Sequence, residues 1–209
     1  MEQTPIVDID SLRFPVFNYK RQPNLALTPV NLFALAFGLY MITAPMMSWI
    51  DYNSPSLATA LCFAGICEYL IGFYNWYDGR ALQSFMDFIF GLLFLTIYFT
   101  TELGKYNIPV PYDYYTYMQG VFYCLWLAML IALIIGIASR GFMYLIYVFL
   151  IALGIIFTLV WHFAQRKWCR QVAGYILFVA ACIVWITGIL CLINGILRRP
   201  AASCVHPYP

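Results

Sequence analysis

Six long apolar stretches alternate with short polar breaks along most of the chain. The stretches predict α-helices at residues 29–50, 55–76, 81–100, 117–138, 141–163 and 172–195. An α-helix needs roughly 20 predominantly apolar residues to cross the hydrocarbon core of a bilayer, and each stretch reaches that length. The pattern therefore predicts an all-α integral membrane protein, folded as a bundle of six transmembrane helices.

The longest predicted connection between helices is the segment 101–116. Its tyrosines are Tyr106, Tyr112, Tyr114 and Tyr115. We expect this segment to lie at the membrane surface, because a tyrosine ring can touch hydrocarbon while its hydroxyl touches water.

The predicted helices also set the domain limits. They leave a polar N-terminal segment at 1–28, a transmembrane domain at 29–196 and a C-terminal tail at 197–209. The N-terminal segment contains the acidic residues Glu2, Asp8 and Asp10, whereas a presequence for the mitochondrial matrix is poor in acids. This argues against that import route, but the sequence does not distinguish the plasma membrane from the mitochondrial inner membrane.

Composition supports the membrane location. Hydrophobic residues make up 64% of the chain and charged residues 10%, with a mean hydropathy of +0.80. Soluble domains have about half apolar and a quarter charged residues, so this chain lacks the polar side chains to cover a water-facing surface. Membrane lipid is the expected neighbour. The net charge of +2 is too small to indicate a nucleic-acid partner.

Residue types that carry enzymatic or metal chemistry are not arranged for it. None of the seven cysteines forms a CxxC pair, and the histidines His162 and His206 share no ligand spacing. No HExxH or GxSxG motif occurs, and no nucleophile has a base at a suitable spacing. We therefore expect no catalytic residues, no metal and no cofactor, and a function other than that of an enzyme.

Two carboxylates lie within the predicted helices, where charge is costly and usually faces the bundle interior. Glu68 shares one helix face with Gly65 and Gly72, so we expect it to point at a neighbouring helix. It is either a proton-carrying or substrate-polarising group, or a neutral carboxylic acid that ties helices together. Asp87 has the same alternatives, and from its position it could also reach the interface. For His162, near the end of the fifth helix, an anchor at the interface is favoured over a proton relay.

Glycine spacing adds a resemblance to a known family. The run Gly65-Ile66-Cys67-Glu68-Tyr69-Leu70-Ile71-Gly72, then Gly79, then Phe90-Gly91-Leu92-Leu93-Phe94-Leu95 resembles the acetate uptake transporter family. That family includes the bacterial succinate–acetate permeases and the fungal acetate and ammonia-export proteins. The spacing agrees without gaps from Pro29 to Leu95, and the match extends over all six predicted helices.

The resemblance implies a six-helix protomer that assembles as a homo-hexamer, with one substrate path in each protomer. The family moves acetate and other small monocarboxylates, together with protons. Its constriction consists of apolar or aromatic residues on the first, third and fifth helices, and the matching positions here are Leu35, Phe90 and Ile151. The matching glycines Gly65, Gly72 and Gly91 are expected to pack helices closely. Glu68 stands where the family usually has Gln, and we regard it as the candidate proton-carrying or substrate-polarising group.

The chain also departs from the family pattern. At the head of the first helix, 26–32, only Pro29 and Leu32 match the family signature, and Asn75 replaces the family's acid. Both losses touch segments that the family uses for substrate entry. Three functions therefore stay open: a transporter or channel for small carboxylates, a non-transporting subunit of a larger membrane complex, and a channel for a neutral solute.

Overall fold

The computed structural model describes residues 27–50, 54–105, 112–137 and 142–197. Six α-helices occupy these ranges: α1 (Leu27–Met46), α2 (Pro55–Tyr77), α3 (Ala81–Lys105), α4 (Tyr112–Ile137), α5 (Phe142–Ala164) and α6 (Lys167–Leu197). Each is long and apolar enough to cross a membrane. The predicted bundle of six transmembrane helices, and with it an integral multi-pass protein, is confirmed. Most of the predicted polar segment at 1–28 and of the tail at 197–209 lies outside the described residues.

Three helices extend further than the hydropathy pattern predicted. The segment 101–116 is not a single surface connection, because α3 continues to Lys105 and α4 already begins at Tyr112. Likewise, α6 begins at Lys167 and not at 172. Hydropathy marks only the length of helix inside hydrocarbon, whereas a helix continues into the interface because this keeps its backbone groups hydrogen-bonded.

Helix α1 ends earlier than predicted, and a left-handed residue ends it. Ser48 has a φ of 61°, a backbone conformation that cannot continue a right-handed helix. The N–H of Ser48 donates to the Pro45 carbonyl at 3.1 Å, and the N–H of Trp49 donates to the Ala44 carbonyl at 2.9 Å. These bonds satisfy carbonyl groups that a helix end otherwise leaves unpaired.

The six helices pack as a closed ring of neighbours. The order around the ring is α4, α5, α6, α1, α2 and α3, and α3 meets α4 again. Neighbouring helices are antiparallel: Tyr40 of α1 meets Cys182 of α6, for example, while the earlier Phe33 meets the later Trp185. It follows that α1, α3 and α5 run in the same direction. The core between them contains large buried side chains, among them Trp126 and Tyr147.

The outer surface of the ring is strongly apolar. Phe63, Leu70, Trp76 and Ile135 are each more than 60% exposed. In water this surface would be unfavourable, but lipid chains accept it without cost. Helix α4 is the least buried of the six, with 22% of its membrane-spanning part inside the bundle, against 67% for α1.

Candidate functional site

The three predicted constriction residues all lie in the hydrophobic core. Leu35 of α1, Phe90 of α3 and Ile151 of α5 are each at most 1% exposed and belong to one cluster of buried side chains. Ile151 also lines a small cavity together with Leu39 and Leu93. Because Leu39 and Leu93 lie one helical turn beyond Leu35 and Phe90, the cavity begins directly behind the predicted constriction.

This cavity has a volume of about 20 Å³ and is lined by residues of five of the six helices. Most of its lining is apolar, and Tyr123 and Thr158 are its two residues with a hydroxyl group. Thr158 donates its hydroxyl to the Gly154 carbonyl in its own helix at 2.9 Å. A volume of roughly 10–15 Å³ is the minimum for one water molecule, so the cavity has room for water but not for an acetate ion.

Glu68 lies deep between α2 and α3. Its side chain is fully buried, and neither carboxyl oxygen has a hydrogen-bond partner among the described residues. Gly91 faces it so closely that a Cβ atom at this glycine would lie 3.2 Å from the Cβ of Glu68. An ionised carboxylate in this place would pay its full desolvation cost without any compensating hydrogen bond.

The second carboxylate, Asp87, is buried inside the helix bundle. It is 1% exposed, and side-chain amides from three helices donate to it. Asn31 of α1 donates to Oδ1 at 2.7 Å, Asn75 of α2 donates to Oδ2 at 2.6 Å, and Gln83 of α3 donates to Oδ1 at 3.1 Å. We call the amides of Asn31, Asn75 and Gln83 the amide cradle.

Only part of this cluster is indicated by local sequence patterns. Gln83 precedes Asp87 by four residues, so the two share a helix face, but nothing in the local pattern links them to Asn31 or Asn75. In the sequence comparison with the acetate uptake transporter family, Asn75 stands where the family has an acidic residue. In the structure a carboxylate does stand beside Asn75, contributed by Asp87 of the next helix.

A group of aromatic and basic side chains lies at the opposite end of the bundle. His162 is 8% exposed, and its ring stacks on Tyr123 with 5.3 Å between the ring centroids. Trp161 contacts the same imidazole, with a centroid separation of 4.6 Å, and the Arg170 guanidinium carbon lies 5.6 Å from a Trp161 ring centroid. Since Tyr123 also lines the cavity, this group lies next to it. His162 is thus buried among aromatic side chains of the bundle.

Close packing of α2 on α3 fixes the positions of both carboxylates. The Ser84 hydroxyl donates to the carbonyl of Gly72 at 2.9 Å. A Cβ atom at Gly72 would lie 3.0 Å from the Phe88 ring and 3.3 Å from the Cβ of Asp87. The absence of a side chain at Gly72 therefore lets Asp87 approach α2 and reach Asn75.

Comparison with known proteins identifies the fold. No family model matches the chain, and no curated protein matches its sequence. Among solved structures, the chain is similar to the bacterial acetate channel SatP, with a TM-score of 0.75 and 14% sequence identity. The alignment covers 85% of this chain and 98% of that chain. The likeness to acetate uptake proteins that the glycine spacing indicated is confirmed at the level of the fold.

Proposed function

We propose that this chain is a membrane channel or transporter for small monocarboxylates such as acetate, and that passage is linked to protons. The observation that supports the proposal most strongly is the fold likeness to an acetate channel. The alignment covers 98% of that channel's chain. Fold alone does not define a substrate, so the arrangement of polar and apolar groups inside the ring is the second support.

These groups follow one another along the parallel helices α1, α3 and α5. The amide cradle and Asp87 lie at the end where these helices begin. Leu35 and Phe90 come about one turn deeper, at roughly 1.5 Å per residue. Ile151 and the cavity follow, and His162 lies at the far end. A solute that moves between these helices would meet polar groups, then an apolar constriction, then polar groups again.

We assign the constriction to Leu35, Phe90 and Ile151. A narrow ring of apolar side chains excludes water and so closes a pore without a physical plug. An ionised carboxylate loses its hydration there at high cost, whereas a neutral carboxylic acid of the same size does not. A closed apolar constriction thus favours passage together with a proton.

We assign the transfer of that proton to Glu68. This carboxyl group is fully buried and has no hydrogen-bond partner among the described residues, so no neighbouring donor stabilises its charged form. A carboxyl group in such surroundings holds its proton until an acceptor arrives, and a desolvated substrate carboxylate is such an acceptor. The proton would pass from the Glu68 oxygen to the substrate oxygen, and Glu68 would take a new proton after the substrate has left.

Uptake of labelled acetate into proteoliposomes tests the transport proposal. We expect uptake above that of empty liposomes, competition by propionate, and faster uptake when an inward proton gradient is applied. The variant I151W should block uptake by filling the constriction. The matched control is I156W on the same helix, because Ile156 is 41% exposed towards lipid and should accept a larger ring.

Two outcomes would contradict the proposal. One is uptake no greater than in empty liposomes for acetate, propionate and succinate alike. The other is an equal loss of acetate uptake in I151W and I156W. A substitution on the outer surface would then affect uptake as much as a substitution in the proposed path. E68Q separately tests proton linkage, and a proton gradient that still accelerates uptake in E68Q would exclude Glu68 from that role.

We also propose that the protomers assemble as a homo-hexamer. The apolar outer surface, to which α2, α4 and α6 all contribute large exposed side chains, leaves ample area for contacts between copies. The same surface would suit a subunit of a larger membrane complex, which is the second candidate function. Mass measurement in mild detergent separates the two: six copies of one chain support the hexamer, whereas constant co-purification with unrelated subunits supports the structural role. Counterflow of urea would instead identify a channel for a neutral solute.

A further inference from the structure

The amide cradle has the chemistry of a carboxylate-binding site. Its three side-chain amides come from three different helices, yet all of them direct N–H groups at one carboxylate. Hydrogen bonds from donors to an ionised carboxylate are about twice as strong as those between neutral groups. Asn31 and Asn75 are 3% and 4% exposed, so water does not compete for these donors.

One acceptor in this group has no partner. The Oδ1 atom of Asn31 is buried and accepts no hydrogen bond from the described residues, although the Nδ2 atom of the same amide donates to Asp87. A buried acceptor that stays unpaired has lost its hydrogen bonds to water without replacing them, which is unfavourable. The O–H of a carboxylic acid would satisfy it. The cradle therefore offers N–H donors for a carboxylate and one acceptor for a carboxyl proton.

The cradle also lies next to the proposed constriction. Asn31 precedes Leu35 by four residues on α1, and Asp87 precedes Phe90 by three residues on α3. At a rise of about 1.5 Å per residue, these residues of the cradle lie roughly 4.5–6 Å along the helix axes from the level of the constriction. This is the last polar position before the apolar part of the path.

We propose that the amide cradle binds the carboxylate group of a small monocarboxylate, and that Asp87 occupies it as a tethered substitute in this closed conformation. The inference rests on the proposed function and names the substrate site within it. To enter, a substrate must take over N–H donors from Asp87. Two carboxylates side by side repel each other unless they share one proton, so substrate and proton bind in the cradle together. Asp87 thus holds the site closed to other anions when no proton accompanies them.

The variant D87A tests this directly. It removes the tethered carboxylate and leaves the three amides around a space of about carboxylate size. We expect the purified protein in nanodiscs to bind formate or acetate at least about tenfold more tightly than wild type, which is the effect of one hydrogen bond to a charged group. D87N is the matched control, because its amide fills the space and supplies no empty site.

Acetamide and chloride serve as reference ligands in the same binding assay. Acetamide has the shape of acetate without its charge, and chloride has the charge without the shape. Binding of formate and acetate by D87A, but of neither reference ligand, supports the proposal. Equal binding of acetamide, or equal affinity of D87A and D87N for acetate, overturns it.

A second variant keeps Asp87 and so avoids any folding defect of D87A. Q83L removes one donor of the cradle and should raise the half-saturating acetate concentration for uptake by about tenfold. Q171L, an exposed substitution on α6, should leave that concentration unchanged. An unchanged value in Q83L overturns the cradle while the transport proposal stands, whereas binding without any wild-type uptake would retain the cradle and reject transport.

Discussion

Gly65 of α2 and Gly91 of α3 face each other across the helix contact at backbone distance. A Cβ atom added to either glycine would lie 3.1 Å from the carbonyl oxygen of the other. Membrane helices lack a hydrophobic force that drives them together, so they rely on close van der Waals contact of this kind. The two glycines thus let α2 and α3 approach closely enough for Glu68 to lie against α3.

Substitution of either glycine by alanine should separate these helices. At Gly91 the added methyl group would meet the Tyr69 ring at 2.7 Å as well as the Gly65 carbonyl, and at Gly65 it would meet the Leu95 side chain at 2.7 Å. We expect G65A and G91A each to lower stability by about 1–3 kcal/mol, the usual cost of overpacking. Unfolding in mixed detergent micelles would measure it.

Gly136 supplies the control for this prediction. A Cβ atom there would meet only the end of the Leu82 side chain, at 3.1 Å and 3.9 Å, and that side chain can move. Because alanine is favoured over glycine in a helix by about 1 kcal/mol, G136A should be neutral or stabilising. If G65A and G91A behaved like G136A, the close contact of α2 and α3 would not contribute to stability.

The fold could be predicted from the sequence because lipid imposes one simple requirement. Each spanning segment must be apolar for about 20 residues and must satisfy its own backbone, so hydropathy locates all six helices. The ends of these helices were harder to predict. The helical ends at Lys105 and Lys167 lie beyond the apolar pattern, in polar sequence where hydropathy does not mark a helix.

The amide cradle could not be predicted from the sequence, and the reason is physical. Asn31 and Asp87 are 56 residues apart in the sequence. Their hydrogen bond exists only because α1 and α3 both pack against α2 and come together inside the ring. No local periodicity encodes a contact between two separate helices. A polar residue within a spanning segment indicates that it has some partner, but it does not identify which one.

Glu68 should favour function at the expense of stability. Its carboxyl oxygens are buried without partners among the described residues, so replacement by an apolar side chain of similar size removes a desolvation cost. We expect E68M to raise the free energy of unfolding by about 1–3 kcal/mol and to abolish proton-driven acetate uptake. Thermal unfolding in detergent and proteoliposome uptake would be measured on the same preparation. A loss of stability in E68M would indicate that Glu68 ties helices together and does not serve transport.

Arg170 should hold the end of α1 against α6. Its Nε donates to the Met46 carbonyl at 3.3 Å, and its Nη2 donates to the Pro45 carbonyl at 3.2 Å and the Ser48 hydroxyl at 3.1 Å. These bonds pair a positive charge with the negative end of the α1 helix dipole. We expect R170M to lower stability by about 1.5–3 kcal/mol, and R170K to recover little of it, because an ammonium group cannot span separate acceptors as a guanidinium does.

The neighbouring Arg166 provides the comparison for R170M. It is exposed in the short connection between α5 and α6. An exposed change of this kind usually alters stability by less than about 0.5 kcal/mol, so R166M should unfold like wild type. Similar unfolding of R170M and R166M would show that the bonds to α1 have no net effect.

Phe90 should limit the size of the transported acid. It is 1% exposed, and truncation to alanine would open the proposed constriction towards the cavity. Loss of such a buried ring costs about 3–5 kcal/mol of stability, so uptake must be measured at a temperature where the variant remains folded. One methylene in an apolar site changes discrimination by roughly 10-fold or more, and we therefore expect F90A to raise the uptake ratio of butyrate to acetate by about tenfold.

A second buried phenylalanine on the same helix separates this effect from the loss of stability. Phe94 is 0% exposed and packs against Gly38 of α1, and it is not one of the three residues assigned to the constriction. F94A should therefore lose a similar amount of stability, by the same cavity argument, and keep the wild-type ratio of butyrate to acetate uptake. An equal change of that ratio in F90A and F94A would mean that general loosening of the bundle admits the larger acid, and Phe90 would no longer be assigned to the constriction.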